Sequence, residues 1–369
     1  MHKTVTADMI EDLAAGSAFL GTGGGGDPYL GSLLCREAIA QYGPVSLISP
    51  QDLKKSDNVY VAAIVGAPTV MIEKLISIRD QHKAVAALED YTGQQASVIA
   101  SAEIGGCNSM MPLAYAAMRG LPLLDGDGMG RAFPELQMTS FNIEGVSCTP
   151  MSLADEHDNR IIIEAQSAKK TELLTRPLAA EMGASICMSC YPMDGEEAAR
   201  TVVPHTISAA LDIGAAINRR DSAEKPPIER LLSALRRHDY YSNAYEIYRG
   251  KITNIERNTT RGWVLGECTI SSLEKHDSRA KLVFQNENLT AYVDGELRCI
   301  VPDLITVVDM ETANAITTER LSYGQRVAVI GCSAPKQINT AKARETVGPG
   351  CFGLEEDYLP ISQLVGDQG

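Results

Sequence analysis

The fold is decided by residues 96–131, ASVIASAEIGGCNSMMPLAYAAMRGLPLLDGDGMGR. A short apolar run over residues 96–104 is broken by Gly105 and Gly106, and the composition from Asn108 to residue 119 is typical of a helix. Residues 121–124 form a second apolar run. A strand, a helix and a strand within about 30 residues predict a right-handed crossover, which joins parallel strands. The stretch therefore indicates an α/β protein.

Carboxylates follow both predicted strands. Glu103 lies near the end of the first strand, and Asp125 and Asp127 directly follow the second. Because ligands of parallel sheets bind beyond the carboxyl ends of the strands, we expect these side chains on one rim. Paired carboxylates bind a metal, activate water or move a proton. Aspartates beside glycines are also common turn formers, so both interpretations stay open.

Two further features extend this rim. Arg131 is a candidate to hold a carboxylate or an oxyanion, with Glu135 fixing its guanidinium, and a surface salt bridge is the alternative. Gly105 and Gly106 open the helix with Asn108 as a candidate N-cap. The free N–H groups of a helix start favour an anion or a developing negative charge.

A glycine-rich loop precedes this region and is a second candidate ligand contact. It consists of Thr22, Gly23, Gly24, Gly25 and Gly26, and it joins two predicted helices. Consecutive glycines let the backbone approach a ligand closely and turn several N–H groups toward an anion. The loop has neither the lysine of a P-loop nor the strand of a dinucleotide fingerprint. A tightly turning connector is the alternative.

Histidine adds one more candidate ligand. His205 follows Pro204 at the start of a predicted helix, where we interpret it as a capping or packing residue. With Glu103, Asp125 and Asp127 it completes the set of candidate ligands for a divalent metal such as zinc. The residues alone leave the presence of a metal open.

The composition of the chain excludes some classes of binding partner. The formal net charge is −14, which argues against a groove for nucleic acid and against an anionic membrane surface. Nine scattered cysteines, acidic residues within the first twenty positions and the lack of a long apolar run favour a cytoplasmic protein with reduced thiols. A small molecule is the expected partner, and self-association into a homo-oligomer is left open.

The hydrophobic pattern of the sequence changes near residue 240. Upstream, helical and apolar segments alternate, and downstream short alternating runs predict a β-barrel or a β-sandwich. We expect an α/β domain over residues 1–240, which carries the glycine-rich loop and the carboxylate rim. A β-rich domain follows over residues 241–369, with a C-terminal tail that can return to the first domain.

Three groups of motifs resemble the S-methyl-thiohydantoin desulfurase family. They are residues 19–29 (FLGTGGGGDPY), residues 103–109 with 120–138 (EIGGCNS and GLPLLDGDGMGRAFPELQM), and VGP, FG and DYLPI at residues 347–349, 352–353 and 357–361. The resemblance spans nearly the whole chain. It implies a three-layer αβα sandwich with a mainly parallel sheet and a β-barrel-like second domain.

The resemblance also implies a reaction. The family name indicates hydrolysis of a thiohydantoin or its S-methyl form, with release of a thiol or sulfide and formation of a hydantoin. On this basis Glu103 or Asp127 activates water, directly or through a metal, and Arg131 anchors a carboxylate arm of the substrate. The amides of the glycine-rich loop and of the Gly105–Gly106 helix start stabilise the negative charge.

Two other functions remain open at this point. Family genes lie beside hydantoinase and oxoprolinase genes, so the chain is alternatively a non-catalytic, ligand-binding subunit of such a system. A nucleotide-dependent enzyme that uses the glycine-rich loop for phosphate is the third option, and the missing P-loop lysine weighs against it.

Overall fold

The computed structural model describes residues 2–26, 28–66, 77–219, 225–260, 263–274 and 277–365. Its α-helices are α1 (Ile10–Leu20), α2 (Pro28–Tyr42), α3 (Ile78–Thr92), α4 (Cys107–Arg119), α5 (Ser140–Ile143), α6 (Ala168–Glu181), α7 (Gly195–Thr201), α8 (Thr206–Asn218), α9 (Pro227–Leu235), α10 (Ala341–Val347) and α11 (Ile361–Val365). None of the helices in these ranges is long and apolar enough to cross a membrane.

Strands of the first half form one mixed sheet. They are β1 (Thr4–Val5), β2 (Val45–Ile48), β3 (Asn58–Gly66), β4 (Val98–Ser101), β5 (Leu123–Asp127), β6 (Met151–Ala154), β7 (Arg160–Ile163), β8 (Ser185–Asp194) and β9 (Val203–Pro204). The order is β1-β2-β5-β4-β3-β8-β6-β7, and β9 pairs with β5. The central strands β2, β5, β4 and β3 are parallel, and antiparallel strands flank them. The predicted mixed α/β class and parallel sheet are confirmed at this centre, whereas the αβα layering stays a prediction.

The crossover predicted from residues 96–131 is the β4–α4–β5 unit. All four residues of β4 are buried, and the register pairs Ile99 with Leu123 and Ser101 with Asp127. Helix α4 ends at Gly120, whose φ of 63° is left-handed and suits glycine. Both strands therefore end at the same edge of the sheet, where Glu103 and Asp127 lie.

The second half forms an antiparallel sheet that curls into a half-barrel. Its strands are β10 (Ala244–Thr260), β11 (Trp263–Ser271), β12 (Arg279–Gln285), β13 (Glu287–Val293), β14 (Glu296–Ile300), β15 (Leu304–Asp309) and β16 (Arg326–Cys332). The order is β14-β13-β12-β11-β10-β16-β15. No backbone hydrogen bonds join the two outer strands of this order, although β13 packs against β15. The predicted barrel or sandwich is thus an open half-barrel.

The two sheets share one apolar core. Ile10 and Leu20 of α1 belong to the same buried cluster as Leu289 of β13 and Leu304 of β15. The hydroxyl of Thr306 on β15 also donates to the α1 carbonyl of Phe19 at 2.8 Å. The half-barrel is therefore packed directly against the helix that precedes the glycine-rich loop.

Candidate functional site

A cavity of about 90 Å³ opens where the β4–α4 loop, the glycine-rich loop and the start of β13 meet. One water needs roughly 15 Å³ of such space, so several waters or a small ring fit. Its walls combine apolar side chains with carboxyl groups, which is typical of small-molecule sites. Its lining includes Gly25, Gly26, Glu103, Asn108, Glu135, Glu172, Arg176 and Glu287.

Glu103 and Glu135 are the sequence-predicted carboxylates that line the cavity, and Glu103 is the more buried of the two. The side chain of Glu103 is buried, and its Oε1 accepts a hydrogen bond of 2.6 Å from the Asn108 amide. Asn108 is itself fixed, because its Oδ1 accepts from the N–H of Ile64 at 2.8 Å. The Oε2 of Glu103 has no hydrogen-bond partner in the described part of the chain. Burial raises the pKa of Glu103 to about 8, although the Asn108 amide opposes the shift.

Glu287 is the second carboxyl of the cavity, and sequence reasoning missed it. It begins β13 and is 3% exposed, and its Oε2 also has no partner within the described ranges. Burial raises the pKa of Glu287 to about 8, and the nearby charge of Glu103 adds to the shift. No motif surrounds Glu287 in the sequence, so only the docking of the half-barrel brings it to Glu103.

The glycine-rich loop forms the third wall. An added Cβ at Gly24 would lie 2.0 Å from the Oε1 of Glu287, so only glycine lets the two approach. The loop is held on both sides, because the Thr22 carbonyl accepts from Asn288 and the Gly25 carbonyl accepts from Cys107, both at 2.8 Å. Within the ranges described, the N–H groups of Gly25 and Gly26 donate no hydrogen bond. They are the backbone donors available to an anion here.

Gly106 and the first residues of α4 do not supply free donors, contrary to the expectation of an anion site at the start of this helix. The N–H of Gly106 donates to the Ser17 carbonyl, and the N–H groups of Cys107 and Asn108 also have backbone acceptors. Side chains at Gly105 or Gly106 would collide with the packed backbone or with Ala132. These glycines therefore allow the loops to pack closely. The N–H groups at the start of α4 already donate to backbone carbonyls of the protein.

Asp125 lies apart from the cavity. Its carboxylate accepts from the Ser208 hydroxyl at 2.8 Å and the Ser208 N–H at 3.0 Å, and it pairs with His205 Nδ1 at 3.1 Å. His205 itself precedes α8 with a left-handed φ of 63°. This arrangement fixes the start of α8 against β5. His205 occupies the N-cap position, but its side chain makes no capping hydrogen bond, and the Asp125 carboxylate accepts the Ser208 N–H instead.

Asp127 lies beside the cavity without lining it. Its Oδ2 accepts three backbone N–H groups, from Ile104 (2.9 Å), Met129 (2.9 Å) and Gly130 (2.8 Å). Burial raises the pKa of Asp127 to about 7, and the Thr206 hydroxyl and these N–H groups oppose the shift. Its geometry is that of a residue that positions the loop carrying Glu103.

Arg131 contradicts the expectation of a substrate anchor. It is fully buried, and burial lowers its pKa to about 10, so it stays a cation at neutral pH. Each of its N–H groups already has an acceptor within the protein. The acceptors are the carbonyls of Ala132, Asn288, Pro302 and Asp303 and the hydroxyl of Thr22. Arg131 and Thr22 thus join the loops to the half-barrel.

Glu135 does not fix Arg131 either. Its Oε2 accepts from Lys169 at 2.6 Å and from the Gln137 amide. The cavity instead receives an ion pair from α6, in which Arg176 contacts Glu172 and donates to the Pro134 carbonyl at 2.6 Å. This pair was missed because nothing in the sequence of α6 links it to the rim.

The four candidate metal ligands do not converge. Asp125 and His205 bind each other, Asp127 receives three N–H groups, and Glu103 faces the cavity. In the described segments, no three His, Cys, Asp or Glu side chains lie together as a group that could hold a metal ion. These residues do not fit a metal centre, and no step is derived through one.

Comparisons with known proteins place this geometry in a family. A protein from Chromobacterium violaceum, solved by X-ray crystallography as a structural-genomics target, matches with a TM-score of 0.81 and 21% identity. The match covers 98% of this chain and 100% of that one, and at this identity it shows the fold alone. No curated protein matches.

Two family models divide the chain. Residues 8–165 match the N-terminal domain described as S-Me-THD-like, and residues 166–361 match the C-terminal domain of the same description. The models meet at residue 165, whereas the half-barrel begins at Ala244, and the domain boundary near residue 240 stays a prediction. With both models matched, the chain belongs to the S-Me-THD-like family.

Proposed function

We propose that this chain is a hydrolase of a small cyclic amide or thioamide, and that it converts an S-methyl-thiohydantoin or thiohydantoin to a hydantoin. One observation carries the proposal. Glu103 and Glu287 are buried, line one cavity and each have a carboxyl oxygen without a partner in the described ranges. Two coupled carboxyls whose pKa values are raised to about 8 favour, near that pH, a state in which one is ionised and the other protonated.

Such a pair can catalyse both halves of the hydrolysis. The ionised carboxyl takes a proton from water, whose oxygen adds to the ring carbon that bears sulfur, while the protonated carboxyl gives its proton to the ring nitrogen of the C=N bond. The C–S bond of the intermediate then breaks. The carboxyl that took a proton from water now gives it to sulfur, which leaves as a thiol. The other carboxyl, which gave its proton to the ring nitrogen, takes the proton of the new hydroxyl group as the C=O bond forms.

The remaining walls supply binding. A backbone loop lines the cavity, and its Gly25 and Gly26 keep N–H groups without acceptors among the described residues. These groups can donate to an oxygen or sulfur atom that becomes negatively charged on the reacting carbon. Asn108 fixes one oxygen of Glu103 and leaves the other for the reaction. We therefore assign catalysis to Glu103 and Glu287, and positioning to Asp127 and Asn108.

The first experiment measures thiol release from S-methyl-thiohydantoins by the purified protein. We expect Glu103→Gln and Glu287→Gln to reduce kcat by about 10²- to 10⁴-fold, the range of general acid–base catalysis. Glu196→Gln, at an exposed residue paired with Lys55, is the matched control and keeps its activity. Thiol release at wild-type rates in both cavity variants would refute the assignment.

A pH profile tests the pair itself. Both pKa values are raised to about 8, so we expect activity to be greatest near pH 8. It falls as the pH drops below this value and the base is protonated, and it falls at more alkaline pH as the acid loses its proton. If the wild-type protein binds these rings and releases no thiol from any of them, the non-catalytic subunit of a hydantoinase-type system replaces the hydrolase.

A further inference from the structure

The charges around the cavity are unevenly distributed. Its lining contains four glutamates and one arginine, so acidic groups outnumber the basic one. Two of the glutamates, Glu135 and Glu172, are engaged by Lys169 and Arg176. The remaining two, Glu103 and Glu287, each carry a buried carboxyl oxygen that lacks a partner in the described ranges, as does Asp127 beside the cavity.

The neighbouring cations are committed elsewhere. Arg131 gives all its N–H groups to protein oxygens and does not line the cavity, and Arg176 is held by Glu172 and by the Pro134 carbonyl. An anionic ligand would therefore face two open carboxyls, and the arginine in the lining, Arg176, is already paired with Glu172. A ligand with N–H groups and a positive charge would satisfy both open carboxyl oxygens.

We propose that this cavity selects a protonated cyclic amidine, the chemical class of cyclic isothioureas and cyclic guanidines, and rejects rings that carry a carboxylate. The inference deepens the proposed function, because protonation of the ring nitrogen during hydrolysis creates the same kind of cation. A stable cyclic guanidinium then resembles the activated ring and binds as an inhibitor. The proposed ligand is therefore a cation, whereas the sequence analysis expected a substrate with a negatively charged carboxylate arm.

Proton release accompanies this binding. Glu103 on the β4–α4 loop faces Asp127 of β5, Arg131 and Glu287, and Glu287 on β13 also faces Arg176 of α6. The other titratable lining groups are Glu135, Glu172, Cys190 and Tyr191. Since Glu103 and Glu287 hold protons at neutral pH, a cation must displace one, and its affinity rises by up to about tenfold per pH unit toward pH 8.

The test is isothermal titration calorimetry with three five-membered rings. The probes are 2-aminoimidazoline as the cation, imidazolidin-2-one as its neutral isostere and hydantoin-5-acetate as the anion. We expect the cation to bind at least about tenfold more tightly than the neutral ring at alkaline pH and to release about one proton, measured in two buffers of different ionisation enthalpy. The anion should bind most weakly.

Two variants with the same change in net charge show whether the preference comes from the cavity or from the charge of the whole protein. Glu287→Gln should abolish the preference for the cation, and the exposed Glu196→Gln should preserve it. Equal or tighter binding of the neutral or anionic ring, or no binding of any ring, overturns the inference. Thiol release is measured separately, so a cation-selective protein without turnover refutes the hydrolase and leaves the selectivity standing.

Discussion

The buried side chain of Glu287 affects both the proposed catalysis and the stability of the protein. Its carboxyl lies in a cavity wall with 3% of the residue exposed, against Gly24 and near Glu103. Removing a carboxylate from water disfavours its ionised form, so the folded protein holds the proton to a higher pH than the unfolded chain. The same property suits an acid catalyst and weakens the folded state at alkaline pH.

Glu287→Gln should therefore stabilise the protein at alkaline pH. Between the ordinary pKa of 4.5 and the folded value of about 8, the folded state binds more protons than the unfolded state, so its stability falls as pH rises. Glutamine does not titrate. In urea unfolding we expect the variant to exceed the wild type by about 4 kcal/mol near pH 8.5 and by less than about 1 kcal/mol near pH 5.

The exposed variant Glu196→Gln controls for the change in net charge and should show no such pH dependence. An equal difference between Glu287→Gln and wild type at both pH values would mean that the side chain acts through packing alone.

At the scale of elements, the glycine-rich loop is a spacer between two halves of the molecule. Its carbonyls at Thr22 and Gly23 accept from Asn288 and Thr318 of the second half, and that of Gly25 accepts from Cys107 of α4. The loop keeps Glu287 at its position because Gly24 has no side chain. Close packing, rather than phosphate binding, explains most of its glycines.

Gly24→Ala is the sharpest test of this element. Its Cβ would lie 2.0 Å from the Oε1 of Glu287, so the carboxyl must move away from the cavity. We expect a fall in kcat of at least about tenfold, because misplacement of a reacting group by 1 Å is costly. Thermal unfolding checks that the fold persists.

Gly350→Ala is the matched control, since an added Cβ there meets nothing within 4 Å. Full activity in Gly24→Ala would show that Glu287 does not need its present position.

Local patterns predicted the local elements well. The β4–α4–β5 crossover follows from short-range propensities. Of the two carboxyls of the candidate site, only one could be predicted from the sequence. Glu103 follows a recognisable strand, but Glu287 reaches the cavity through contacts between distant parts of the chain, which no local pattern encodes. The role expected of Arg131 failed for the same reason, because its acceptors at Pro302 and Asp303 lie far along the sequence.

At the scale of the whole molecule, Arg131 is the central connection. Its guanidinium links the turn after β5 to the glycine-rich loop and to the half-barrel at Asn288 and Asp303. Asp303 is buried beside it and accepts from the Ala334 N–H at 2.8 Å. Together with the shared core, this network predicts that both halves unfold in one cooperative transition.

Arg131→Met tests that connection. The substitution keeps a long apolar side chain and leaves several buried carbonyls without donors, so we expect a loss of at least about 3 kcal/mol in the free energy of unfolding. Circular dichroism and tryptophan fluorescence during urea unfolding should coincide for the wild type. Arg249→Met, at an exposed ion pair with Glu246, is the control and should unfold near the wild-type midpoint.

Two separate transitions in the wild type would contradict the prediction of one unit. A wild-type midpoint in Arg131→Met would show that the core alone joins the halves.

The sharing of the cavity between Glu103 and Glu287 also has a consequence during synthesis. The first carboxyl leaves the ribosome long before the second, and the pair is complete only when β13 has docked on the loop of Gly24. A nascent or truncated chain that ends before β13 thus exposes a carboxylate without its partner. Docking of the half-barrel is therefore the folding step that completes the pair of carboxyls.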